Sequence, residues 1–124
     1  MEIKRVEKPW GYEIWWAHTD KYVGKLLHVK AGHKLSLQYH VQKDETLHLQ
    51  RGSILLVIDE GGGPAEVPMA PGDSRHIPPG TVHRIVALED SDVLEVSTPE
   101  VEDVVRLEDV YGRTQPGQTK ASGA

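Results

Sequence analysis

The stretch "GHKLSLQYHVQKDETLHLQRG", residues 32–52, decides how this sequence is interpreted. It mixes strand-forming and turn-forming residues and holds Gln38, His40 and Glu45 close together. Gln38 and His40 are two positions apart, so both side chains lie on the same face if the segment is a strand. Glu45 follows a short polar turn and can return from the next strand. The stretch therefore predicts two neighbouring strands whose polar side chains meet, either as a metal site or as the wet face of a sheet.

A second stretch, "GDSRHIPPGTVHR" at residues 72–84, adds His83. This histidine follows Pro78, Pro79 and Gly80, a rigid corner that starts a new strand. A lone His or Gln on a strand is usually a surface residue or a hydrogen-bonded core residue. Four such residues in fixed order favour a metal site. One amide oxygen, two imidazoles and one carboxylate suit a divalent ion, zinc first, with Fe, Mn or Ni also compatible.

The rest of the chain predicts an all-β fold. Its apolar segments are short and are separated by Gly, Pro, Asp and Ser at fairly regular spacing, which indicates about nine strands closed into a sandwich or small barrel. Residues 61–65, GGGPA, are interpreted as a loop whose three glycines form a hairpin tip rather than a phosphate cradle, because no helix start follows them. Residues 100–109 are compatible with either a strand or a short helix. The predicted strands are Tyr12–Ala17, Tyr22–Lys30, Lys34–Tyr39, Glu45–Gln50, Ser53–Ile58, Ala65–Met69, Ser74–Ile77, Val82–Leu88 and Val93–Ser97.

Length and composition limit the possible classes of protein. The chain has 124 residues, and we predict one domain over 1–113 and a disordered polar tail over 114–124. A net charge of −5 supplies no global basic field for nucleic acid or an anionic membrane. Cysteine is absent, which excludes disulfides, thiolate nucleophiles and Cys-ligated zinc. The N-terminal apolar run is too short for a signal or membrane span, so we expect a cytoplasmic protein.

The same residues carry a resemblance to a known family. The spacing in the two stretches resembles the two-part signature of the cupins, with Gln38 replacing the first His of the usual pair and Ala87 where Asn is common. "KPWGYEIW", "LSLQYH", "IPPGTVHRI" and "EDVYGR" resemble the C-terminal isomerase domain of type II phosphomannose isomerases. The resemblance runs from about Lys8 to Arg113 and implies a cupin fold, a double-stranded β-helix or jelly-roll barrel. Its signature residues are Gly32, Gln38, His40, Glu45 and Gly52, then Gly72, Pro78, Gly80 and His83.

The resemblance also implies roles for individual residues. The expected metal ligands are Gln38, His40, Glu45 and His83. Lys25 and Arg84 match family positions that suit a sugar hydroxyl or a phosphate; their alternatives are a solvated strand-end lysine and a surface ion pair.

Two further residues match positions close to the chemistry. Glu95 matches a family glutamate and is a candidate acid or base, unless it simply pairs with a lysine or arginine. Lys43 stands where the family has an Arg that is taken to be catalytic. An ammonium cannot reproduce the bidentate fork of a guanidinium, so this replacement changes the chemistry.

The remaining aromatic residues and histidines are interpreted as structural. Trp10, Tyr12, Trp15 and Trp16 could form a sugar-stacking platform, but large aromatic residues near a terminus more often pack in the core or at a dimer interface. Cupins tend to pair through N-terminal strands, so we expect a homodimer. His18, His28, His33, His48 and His76 have no ligand spacing and are predicted not to bind metal.

Three functions follow as hypotheses. The first is a metal-dependent aldose–ketose isomerase of the mannose 6-phosphate/fructose 6-phosphate type. The second is a different metal-dependent cupin enzyme, such as an oxygenase or an epimerase-like activity. The third is a non-catalytic module that uses a metal to bind a carbohydrate or another anionic metabolite. Because one fold hosts many chemistries, the metal pattern predicts the fold better than the function.

Overall fold

A computed structural model describes residues 3–100 and 102–113. Strands account for all regular structure in these ranges, and no helix there could span a membrane. The predicted tail at 114–124 lies outside the described residues. The eleven strands are β1 (Lys4–Lys8), β2 (Gly11–His18), β3 (Val23–Val29), β4 (Leu37–His40), β5 (Glu45–Arg51), β6 (Ile54–Asp59), β7 (Pro64–Met69), β8 (Ser74–Ile77), β9 (Val82–Ala87), β10 (Ser91–Ser97) and β11 (Val104–Glu108).

These strands form two antiparallel sheets. The first sheet has the order β1-β2-β3-β10-β5-β8, and the second has the order β11-β4-β9-β6-β7. One apolar core joins them, since Leu47 and Leu49 of the first sheet and Ile54, Leu56 and Ile85 of the second belong to the same buried cluster. The prediction of an all-β barrel is confirmed.

The alternation of side chains along each strand explains this core. In β5, Glu45, Leu47 and Leu49 are buried while Thr46 and His48 between them are more exposed. Successive strand residues point to opposite faces, so a single inward row forms in each strand. The inward rows of both sheets meet in the barrel interior.

Two strands at the sheet edges were missed or left open by the sequence. β1 is an edge strand rich in charge, which disguises it as a loop but suits an edge because Lys discourages further pairing. β11, within the ambiguous 100–109 segment, is a strand that pairs with β4. The predicted third strand is shorter than expected: Lys34 forms only an isolated bridge with Val86, and β4 begins at Leu37.

Turn residues set the strand register. Gly52 lies between β5 and β6 with φ of +99°, and a Cβ there would stand 2.2 Å from the Ser91 Oγ. This turn therefore requires glycine on both conformational and steric grounds. The three glycines at 61–63 lie between β6 and β7, as the predicted hairpin tip.

The aromatic residues near the N-terminus do not share one role. Trp10 is 2% exposed and belongs to the core, as the packing interpretation predicts. The ring of Trp16 lies against Gly24, and the Trp16 residue is 41% exposed. Trp15 departs from that interpretation, because its ring lines a pocket between the sheets and lies 4.1 Å from the Lys25 Nζ.

Candidate metal centre

Three strands bring two histidines and a glutamate together inside the barrel. His40 ends β4, Glu45 begins β5, and His83 lies in β9. The Glu45 Oε2 is 3.1 Å from the His40 Nε2 and 3.5 Å from the His83 Nε2. One potential ligand atom from each residue lies within 4.8 Å of the others, and all three residues are buried. The sequence placed these residues in one site, and the structure brings them together.

Gln38 lies beside this cluster. It is the Cα partner of His83 across β4 and β9, and paired residues in a sheet point to the same face. Its side-chain oxygen accepts a hydrogen bond from the Ser36 hydroxyl at 2.6 Å. An amide oxygen has two lone pairs, so this bond leaves one for an ion.

Both histidines are oriented so that the Nε2 lone pair faces the cluster. The Nδ1 of His83 donates to the carbonyl oxygen of Thr81 at 2.9 Å, and the Nδ1 of His40 lies 3.2 Å from a carboxylate oxygen of Asp103. Hydrogen bonding at Nδ1 selects the tautomer whose Nε2 is free to bind a metal.

The chemistry of the centre fits a divalent metal. Within the part of the chain that the structure describes, the His40 Nε2 and the Glu45 Oε2 are buried without a hydrogen-bond partner, although they lie 3.1 Å from one another. Burial raises the pKa of the Glu45 carboxyl, but His40, Lys43 and His83 outweigh it and lower the pKa below its ordinary value. Burial lowers the pKa of His83, more than Glu45 raises it. The ligands are therefore an ionised carboxylate and a neutral imidazole, the forms that bind metal.

Local structure holds the ligands from both sides. The corner at Pro78, Pro79 and Gly80 is tied to β4 because the backbone N–H of Gly80 donates to the carbonyl of His40 at 2.7 Å. Asp103, just before β11, accepts hydrogen bonds from the backbone N–H groups of Gln42 and Lys43 at 2.7 and 3.0 Å. The sequence did not indicate Asp103, because no local motif marks a carboxylate that contacts residues about sixty positions away.

Lys43 and Glu95, the predicted catalytic residues, are adjacent. The Lys43 Nζ lies 2.7 Å from a carboxylate oxygen of Glu95 and 4.0 Å from Glu45. Both residues are buried. Burial lowers the pKa of Lys43, but the neighbouring Glu95 and Glu45 carboxylates outweigh it and raise the pKa. Lys43 is therefore charged and holds Glu95 at the edge of the metal centre.

The two predicted substrate ligands lie in different environments. Lys25 lies on the inward face of β3, with its Nζ 3.6 Å from Glu13 and 4.1 Å from the Trp15 ring centroid. Arg84 alternates with His83, so its side chain leaves the opposite face of the sheet. Its guanidinium donates to the carbonyl of Leu35 and to Glu108, both at 2.8 Å. Both cations thus have partners inside the protein.

A pocket opens next to the metal centre, between the two sheets. Gln38 and His40 form part of its wall, as do Trp15 and Ser36. Five cationic side chains also line it, against the lining carboxylates of Glu13 and Glu95: Lys8, Lys25, Lys43, Arg106 and Arg113. In a chain whose net charge is −5, this pocket therefore has a local excess of cationic over anionic lining side chains.

The five histidines outside the centre contact other groups. The ring of His18 lies edge-on to Trp15, and His33 stacks on Tyr111 and shares a 2.6 Å hydrogen bond with its hydroxyl. The other three contact side chains near the surface: His28 with Asp92, His48 with Ser74 and His76 with Asp44.

A two-sheet β-barrel that buries a His–Glu–His cluster between its sheets has the architecture of a jelly-roll protein with a candidate metal site. The family model described as "Cupin domain" matches residues 25–98, which include all four predicted ligands, and the chain belongs to the cupin family. The predicted fold is thereby confirmed. The resemblance to sugar-phosphate enzymes is supported in part, by relatives and by a solved structure that match this chain.

Two curated relatives are named for polysaccharide biosynthesis. The chain is 31% identical to the xanthan biosynthesis protein XanB of Xanthomonas campestris pv. campestris over 123 residues, covering 90% of this chain and 24% of that protein. It is 32% identical to the alginate biosynthesis protein AlgA of Pseudomonas aeruginosa over 114 residues, covering 88% of this chain and 23% of that protein. The chain thus spans about a quarter of the length of these relatives.

Solved structures share the fold. KdgF from Halomonas sp. is 25% identical, with a TM-score of 0.70 over 83% of this chain and 92% of that one. A sugar phosphate isomerase of the cupin superfamily from Silicibacter pomeroyi is 26% identical, with a TM-score of 0.64 over 78% of this chain and 71% of that one.

Proposed function

We propose that this cupin is a metal-dependent sugar-phosphate isomerase that interconverts an aldose and a ketose, as in mannose 6-phosphate and fructose 6-phosphate. The observation that carries the proposal is the charged Lys43–Glu95 pair, 2.7 Å apart, at the edge of a buried His–Glu–His centre. The cation-lined pocket beside it suits a phosphorylated substrate. The sugar phosphate isomerase among the similar structures supports the same class of reaction.

The chemistry requires a proton to move between two neighbouring carbons. When bound, a divalent ion polarises the oxygens on C1 and C2 and stabilises the negative charge that develops there. Gln38, His40, Glu45 and His83 would hold this ion, and zinc is the first choice.

In this proposal Glu95 is the general base. Its carboxylate removes the proton from C2 of the open-chain aldose, the C2–H electrons form the C1–C2 double bond, and the electrons of the C1 carbonyl bond move to O1 to give an enediolate. The hydroxyl proton of O2 then passes to O1, the O2 electrons form the C2 carbonyl bond, and the C1–C2 double-bond electrons take the proton back from Glu95 at C1 to give the ketose. Lys43 holds Glu95 in position and keeps it near the metal centre through their ion pair. Lys25 lies on the same face of the sheet as Glu95, its strand partner, and would contact a substrate hydroxyl.

The first test combines metal analysis with an activity assay. Protein purified without added metal is analysed for its metal content, and a coupled assay follows conversion of mannose 6-phosphate to fructose 6-phosphate. We expect about one zinc per chain. His40→Ala should lose the metal and at least about 1000-fold in turnover, because several kcal/mol of charge stabilisation disappear.

His28→Ala is the matched control. His28 also contacts a carboxylate, at 2.7 Å from Asp92, but lies outside the metal centre, so this variant should keep metal and turnover. Absence of both fructose 6-phosphate and exchange of C2 deuterium in the metal-loaded wild type would refute the isomerase. A rise in melting temperature with mannose 6-phosphate under those conditions would instead support a non-catalytic binding module.

Metal identity, a homodimer and a cytoplasmic location stay predictions.

A further inference from the structure

Arg106 in β11 is a half-buried cation, and among the residues that the structure describes it forms no direct ion pair. Its Nε is buried and has no hydrogen-bond partner among the residues that the structure describes. A buried donor without a partner carries a free-energy cost that a bound acceptor would remove. A ligand with an acceptor oxygen would therefore be stabilised by a hydrogen bond from the Arg106 Nε.

Strand register places Arg106 on the wall of the metal pocket. Arg106 is the Cα partner of Gln38 across β11 and β4, and Gln38 is the partner of His83 across β4 and β9. The three side chains thus share one face of the second sheet. Two strand spacings separate the Cα atoms of Arg106 and His83, about 10 Å.

Lys8 and Arg113 line the same pocket as Arg106. The Lys8 Nζ is 4.0 Å from Glu13, a carboxylate that also lies 3.6 Å from the Lys25 Nζ and accepts a hydrogen bond from Trp15. The Arg113 guanidinium contacts Asp109. One shared carboxylate and one ion pair leave excess positive charge around Arg106.

The charges of these groups interact. Burial lowers the pKa of Lys8, and the nearby Lys25, Arg113 and Arg106 lower it further against Glu13. Burial also lowers the pKa of Arg106, and Arg113 adds to that effect while Asp109 and Glu13 oppose it. Mutual repulsion between cations is relieved when a polyanion binds among them.

We propose that Lys8, Arg106 and Arg113 form an anion subsite that binds the phosphate monoester of the substrate, while the other end of the substrate lies at the metal centre. The subsite rests on the proposed function in treating the pocket as the substrate site. It uses different residues from Lys25 and Arg84, the positions that the sequence indicated. The Arg84 side chain leaves the opposite face of its sheet and is held there by the Leu35 carbonyl and Glu108. A guanidinium with free donors suits a phosphate, whose oxygens accept bidentate hydrogen bonds.

The test measures binding of inorganic phosphate and of mannose 6-phosphate by calorimetry, first in metal-free protein so that no metal can hold the anion. We expect Arg106→Gln to weaken both ligands by about 10- to 100-fold, the range for one charge-assisted hydrogen-bonding group. Lys8→Gln, on the edge strand, tests the same subsite if Arg106→Gln does not fold. Arg51→Gln removes an equal charge at an exposed site paired with Asp92 and should bind as wild type does.

The outcomes separate this inference from the isomerase. If mannose 6-phosphate binds, is weakened by Arg106→Gln and is not turned over by the metal-loaded wild type, the subsite stands and the isomerase fails. Normal turnover with unchanged affinity and KM in folded Arg106→Gln and Lys8→Gln overturns the subsite alone. Failure of the metal-free wild type to bind either anion also overturns it. In an active enzyme, the subsite predicts a raised KM with kcat nearly unchanged in these variants.

Discussion

The two ends of the barrel interior are built on the same strands but contain opposite kinds of residue. The metal end holds the predicted ligands with Lys25, Lys43 and Glu95, while the apolar end holds the core cluster. In β5, Glu45 is followed two and four positions later by Leu47 and Leu49. In β9, His83 is followed in the same way by Ile85 and Ala87. A polar-to-apolar change along each inward row thus separates chemistry from stability.

The strand register aligns the polar ends of neighbouring inward rows, so that the polar residues form one layer of the barrel interior. Lys25 pairs with Glu95, and Gln38 pairs with His83, so polar residues of neighbouring strands lie at the same level. Burying charge costs free energy unless partners compensate it, whereas burying apolar area stabilises the fold. The comparison therefore predicts that substitutions at the apolar end affect folding, and substitutions at the metal end affect binding.

The largest expected effect on stability belongs to the apolar end. Leu49→Ala removes a fully buried side chain and should lower the free energy of unfolding by about 2–5 kcal/mol, through lost transfer energy and the cavity left behind. Urea unfolding in the presence of a chelator measures it. Glu45 lies in the same inward row, two inward positions before Leu49, and Glu45→Gln should abolish metal binding instead. A Leu49→Ala protein that folds normally but has lost its metal would break the proposed separation.

A smaller effect is expected where the metal end meets its supporting shell. Asp103→Asn weakens the hold on the His40 imidazole and on the backbone of Gln42 and Lys43, so metal affinity should fall by about 10- to 100-fold. Competition with a metal-chelating dye measures this change. Asp92→Asn disrupts a similar carboxylate–histidine contact on His28, away from the centre, and should leave affinity unchanged. Equal losses in both variants would mean that Asp103 acts only through general stability.

The smallest effect concerns the turn that holds Arg113. Burial raises the pKa of Asp109, but hydrogen bonds and charge from Arg113 outweigh it and lower the pKa below its ordinary value. A carboxyl with a lowered folded-state pKa stabilises the protein above its unfolded pKa of about 4, and this contribution disappears as the pH falls through the folded value. Asp109→Asn should therefore cost about 1 kcal/mol or less at pH 7 and nothing in strong acid.

Thermal melts across pH 2–7 test this prediction, with the exposed Asp20→Asn as the control. A constant difference between wild type and Asp109→Asn at every pH would show that the carboxylate charge is not responsible. In that case the turn would depend on the shape of the side chain rather than on its ionisation.

Sequence patterns predicted the all-β class, most strands and the hairpin tip at 61–63, because alternation and turn residues are local signals. The inferred ligands were recognisable for the same reason, since Gln38, His40 and Glu45 lie in one short stretch. β1 escaped prediction because its charged residues resemble a loop. Asp103 and Arg106 were not predicted as site residues, because no signal in their own neighbourhood of the sequence marks them. Arg106 reaches the site by pairing with β4, and Asp103 by accepting hydrogen bonds from the loop that follows β4.

By itself, then, the sequence determined the period-two strands, the glycine turns and the short motif that carries three of the four inferred ligands. Only the tertiary structure decided which distant charges meet. It oriented the Nε2 atoms of both histidines, directed the Arg84 guanidinium to Leu35 and Glu108, and placed Arg106 beside Gln38. The physical reason is that strand periodicity acts over two residues, whereas the register between sheet neighbours joins residues dozens of positions apart.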